Sequence, residues 1–102
     1  NTVEILTDKI GIPLGINQGN HWQSSEIVIN KNDIFVVYTD GITELKSPDG
    51  IQFGEPALID LIKNSNGSLD DLMAEIKLAL RNHQGAENNS DDLTLLMIQP
   101  RL

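Results

Sequence analysis

Cysteine is absent from all 102 residues, which removes disulfide bonds and thiolate zinc sites from consideration. Aromatics are scarce, with one Trp, one Tyr and two Phe, so a core must be built from Ile, Leu and Val. Basic residues are also few: 7 Lys and Arg stand against 15 Asp and Glu, for a formal charge of -8. Nucleic-acid affinity comes largely from cations that neutralise phosphates, so no nucleic-acid partner is expected. No apolar run approaches the roughly 20 residues that cross a bilayer, and the start, "NTVEILTDKIG", lacks a basic region followed by an apolar one. A cytoplasmic chain without membrane contact is the expectation. A Gly-rich phosphate loop is missing too, since "GIPLGI" has neither the spacing nor the Lys. His21 and His83 are isolated, and each reads as a surface residue.

What is present suits one small domain with a single core, residues 1–102. Asn1 in place of Met reads as the mark of a piece of a longer chain. "VEIL" (Val3 to Leu6) and "SEIVIN" (Ser25 to Asn30) have strand character, and "NKND" (Asn30 to Asp33) reads as a tight turn. Ile34 to Tyr38 is apolar throughout and rich in β-branched and aromatic residues, the pattern of a strand covered on both faces. Pro48 and Gly50 occupy turn positions. Ala57, Leu58, Leu61 and Ile62 then fall at helical spacing, with Asn66-Gly67 expected to close that helix. Ser68 and Asp71 form a capping-box pair ahead of a core-facing stripe, Leu69, Leu72, Met73, Ile76 and Leu80. "LTLLMI" (Leu93 to Ile98) reads as the last strand.

The order strand, strand, strand, helix, helix, strand predicts an α/β domain, with a sheet covered on one face by a helix pair. A single helical layer leaves the sheet's second face bare, so other chain or a partner is expected there, and self-association with it.

Two acidic features bear on chemistry. Asp40-Gly41 ends the buried-type strand, and Asp91-Asp92 precedes the last one. Asp-Gly is a common turn dipeptide, as at Asp49-Gly50, and an acid pair before a strand is often a solvated turn. If the two strands are neighbours, Asp40 and Asp91 meet at one rim. Two carboxylates about 4 Å apart repel by about 4 kcal/mol at an effective dielectric near 20, a cost that a divalent cation removes. Oxygen ligands without His or Cys indicate Mg²⁺ or Mn²⁺.

"GIPLGI", "DIFVVYTDGITEL", "DGIQFGEPAL" and "SDDLTLLMI", in this order, resemble the C-terminal half of the metal-dependent protein serine/threonine phosphatases. The closer likeness is to the bacterial branch typified by the stage II sporulation phosphatase and the sigma-B regulator RsbU. The resemblance covers essentially the whole chain and implies an α+β sandwich: a partial β-sandwich with an antiparallel helix pair, part of a four-layer αββα fold. It further implies two Mn²⁺ or Mg²⁺ ions, a metal-activated water, and phosphoserine or phosphothreonine on a regulatory protein such as an anti-anti-sigma factor as substrate.

By the same resemblance Asp40 and Asp91 look like metal ligands, and a one-residue shift of the motif would exchange Asp91 for Asp92. Gly41 would let the backbone pass close to the site, Gly11, Pro13 and Gly15 look structural, and no residue is assigned a catalytic role. The family's bridging Asp-Gly motif belongs to the N-terminal half of the domain and does not occur in these residues, so this segment alone is expected to be inactive. The alternative is a non-catalytic phosphatase-like interaction module in a signalling pathway.

Overall fold

A computed structural model describes residues 2–6, 18–19, 21, 24–85 and 92–101. Its elements are β1 (Phe35–Tyr38), α1 (Asp40–Thr43), α2 (Glu55–Asn64), α3 (Leu69–Gln84) and β2 (Leu95–Ile98). The architecture is α+β: β1 and β2 pair antiparallel, Phe35 opposite Ile98 and Tyr38 opposite Leu95. The two apolar strands are therefore neighbours, the condition for residues 40 and 91 to lie at one rim.

The alternation of side chains along a strand divides this ribbon into two faces. Val36, Tyr38, Leu95 and Met97 pack on the core, which is built around Ile42, Leu45, Leu58, Leu72, Ile76 and Leu80. Leu58 and Ile76 are fully buried, each such side chain contributing about 1.5–3 kcal/mol relative to exposure. On the other face Val37, Leu96 and Ile98 are 42%, 52% and 46% exposed. Among the described residues that face has no cover, as a single layer of helices requires.

Both long helices form where apolar spacing places them. α2 starts with Glu55 and Pro56 after Gly54, whose φ of 86° suits glycine. In α3 the Ser68 hydroxyl accepts from the Asp71 N–H at 3.2 Å, and the Asp71 carboxylate accepts from the Ser68 N–H at 3.1 Å. The capping box is thus complete, and Leu72, Ile76 and Leu80 of the expected stripe are buried.

Three expectations are corrected. Residues 3–6 and 25–30 are not strands: alternation gives a segment a face to bury, but a strand forms only where a neighbour takes up its backbone hydrogen bonds, and here Ile27 and Val28 stay 48% and 86% exposed. Asn66-Gly67 does not close α2, which ends at Asn64 with Ser65 extended and buried; Gly67 is not left-handed and lies in the link to α3. The segment after β1 is a single helical turn, α1, rather than a plain turn. The turn at residues 30–33 is present, with the Asp33 N–H donating to the Asn30 carbonyl at 3.0 Å. Gly11, Pro13 and Gly15 lie outside the described residues.

Between α1 and α2 the chain makes a small hairpin. The Gly50 N–H donates to the Ser47 carbonyl at 2.8 Å, closing the Ser47-Pro48-Asp49-Gly50 turn, and Lys46 bridges to Gln52. The chain then returns alongside α1, where the Gly54 N–H donates to the Thr43 carbonyl at 2.8 Å.

Candidate metal-binding rim

At the end of the ribbon the two strands stay linked one residue beyond the regular ladder. The Thr39 N–H donates to the Thr94 carbonyl at 3.1 Å, and the Thr94 N–H donates to the Thr39 hydroxyl at 3.2 Å. This linkage holds segments 39–41 and 92–94 together. Asp40, the first residue of α1, and Asp92 are both exposed there. Asp91 lies outside the described residues.

Gly41 lies at the closest approach. A Cβ built on it would collide with the Asp92 carbonyl oxygen and come within 3.4 Å of the Leu93 side chain. No positive φ is involved, so glycine is required here for space and not for conformation. That explains locally why an Asp-Gly dipeptide, and not Asp with another residue, follows the strand.

A further acid, Glu55, is bonded to the strand that delivers Asp40. The Tyr38 hydroxyl, at the end of β1, donates to Glu55 Oε2 at 2.7 Å, joining the strand to the first residue of α2. The Glu55 acceptor, burial, and the negative charges of Glu55 and Asp40 together push the Tyr38 hydroxyl up to about 12. It is therefore a proton donor throughout the neutral range. Sequence reasoning missed this pair; the available signals were a Tyr two residues before Asp40 and a Glu opening a helix after Gly54.

His83 has a structural place, with Nε2 2.7 Å from the Ile51 carbonyl and its ring edge-on to Phe53 at 5.5 Å. It is half-buried and packed rather than the plain surface residue that its isolation in the sequence predicts. Among the described residues no group of three His, Cys, Asp or Glu is arranged to hold a metal ion. Ions such as Mg²⁺ keep several waters and are held by one or two carboxylates. The hard oxygen donors at this rim, Asp40 with the neighbouring Asp92, fit that requirement in kind. No helix among the described residues is long and apolar enough to cross a membrane.

No curated protein and no solved structure is similar enough to be matched. A family model does match, that of stage II sporulation protein E, over residues 1–101. With the paired strands, the Asp-Gly rim and a match along nearly its entire length, the chain belongs to the stage II sporulation protein E (SpoIIE) family, which makes it a phosphatase-related domain.

Proposed function

We propose that this chain is the C-terminal part of a metal-dependent protein serine/threonine phosphatase domain. The parent protein would hydrolyse phosphoserine or phosphothreonine on a regulatory protein such as an anti-anti-sigma factor. The observation that carries this reading is the convergence of segments 39–41 and 92–94 at one end of the ribbon, with an acid on each. Asp40 is the ligand proposed from the first segment. Asp91, the residue just before the second segment, is the other ligand proposed, and Asp92 takes its place if the motif is read one residue later.

When bound, Mn²⁺ or Mg²⁺ supplies a water of lowered pKa and a clamp on phosphate oxygens. The chain's own part is to present carboxylates at fixed points. The Thr39–Thr94 pair sets the spacing of the two segments, and Gly41 permits their close approach. In this reading the exposed face formed by Val37, Leu96 and Ile98 would be the inner face of one sheet in a four-layer αββα sandwich, with the rest of the domain supplying the second sheet and the bridging acid.

Phosphate release from a phosphoserine peptide by the full-length protein tests the reading. Release that depends on Mn²⁺ and is lost in Asp40→Asn supports it. A folded full-length protein that binds a signalling partner but releases no phosphate with either metal belongs to the interaction-module alternative.

A further inference from the structure

We infer that Glu55 is a positioning residue for Asp40, acting through the Tyr38 hydroxyl. The inference rests on the reading of Asp40 as a metal ligand and concerns what holds that carboxylate in place.

Asp40 opens a single helical turn with no side-chain cap, and one turn has little stability of its own. Its position must come from neighbouring elements. On one side the Thr39–Thr94 pair ties it to the approach of β2. On the other, its support is the start of α2, fixed in the molecule by the fully buried Leu58. Two backbone links run from there to the α1 region: the Gly54 N–H to the Thr43 carbonyl, and the Phe53 N–H to the Leu45 carbonyl at 2.7 Å.

The third link is made by side chains and reaches the strand that delivers Asp40. Tyr38 stands two residues before it, on the core face of β1 opposite Leu95. Its hydroxyl donates at 2.7 Å to Glu55, the first residue of α2. A carboxylate in the first turn of a helix is favoured by the helix dipole and is a strong acceptor. With that hydrogen bond made, the strand end and the helix start move as one body, and the turn carrying Asp40 is held between them. Groups that orient a ligand in this way commonly change metal affinity more than they change global stability.

The test is Mn²⁺ titration by calorimetry on the full-length protein, at a temperature where circular dichroism shows each variant folded. Tyr38→Phe and Glu55→Ala are each expected to weaken Mn²⁺ binding about threefold to tenfold, the scale of one hydrogen bond. The double variant should be no weaker than either single one, because both remove the same link. Glu55→Gln, which keeps an acceptor oxygen, should stay within about twofold of the wild type.

Wild-type affinity in Tyr38→Phe with only a lower melting temperature overturns the inference, as do single losses that multiply in the double variant. Asp40→Asn separates the two levels. If it binds Mn²⁺ like the wild type, the metal reading falls and the positioning role with it. If it loses binding while Tyr38→Phe does not, only the positioning role falls.

Discussion

Gly41 and the Asp92 carbonyl approach so closely that no side chain fits between them. The contact joins two segments separated by about fifty residues at the rim where the acids are displayed. Because the obstructing atom is backbone, a methyl group at position 41 has no flexible neighbour to displace. Gly41→Ala should therefore cost about 2 kcal/mol, the range for overpacking a tight site. Urea unfolding should show a lower midpoint at unchanged slope; an unaltered midpoint would show that the two segments separate without cost.

The start of α3 offers a separate check. Ser68 and Asp71 satisfy each other's backbone N–H groups, and loss of an N-cap hydroxyl typically costs about 1 kcal/mol. Ser68→Ala should lower stability by that amount, and Ser68→Asp should recover most of it. Equal stability in Ser68→Ala would argue that the box closes only transiently in solution.

Tyr38 is the only tyrosine, so tyrosinate absorbance reports its ionisation alone. The folded value of about 12 lies above the ordinary 10.0. The stability this provides is fully present below pH 10 and is lost as pH rises from about 10 to about 12. The native titration should be centred near the upper figure and move down in Glu55→Ala. An unshifted titration in the wild type would mean that the bond to Glu55 is not formed.

The face carrying Val37, Leu96 and Ile98 should make the isolated chain self-associate, since exposed apolar ribbons seek cover. Sedimentation should show concentration-dependent oligomers, dispersed by Leu96→Lys. A strictly monomeric and stable wild type would contradict this.

Much of this was legible in the sequence because it depends on short-range pattern. The stripe from Leu69 to Leu80 and the Ser68–Asp71 spacing locate α3 without tertiary information, and the apolar runs around Val36 and Met97 locate both strands, though not their pairing. The segments "VEIL" and "SEIVIN" carry a similar pattern but are not strands, because strand formation depends on a neighbour and alternation does not supply one. The Tyr38–Glu55 bond was illegible for a related reason. It joins residues 17 apart through a hairpin, and only the return of the chain along Thr43 and Leu45 brings them together. Asp40 and Gly41 could be singled out from the motif; the reason for the glycine, a carbonyl across the rim, could not.

The most direct test of the central claim is the Mn²⁺ affinity of the full-length protein with and without the Asp40 carboxylate, measured by calorimetry alongside circular dichroism. Asp40→Asn should remain folded and lose Mn²⁺ binding by about tenfold or more, the scale of a displaced metal-site group. A folded Asp40→Asn protein that binds Mn²⁺ as tightly as the wild type would contradict the assignment of Asp40 as a metal ligand.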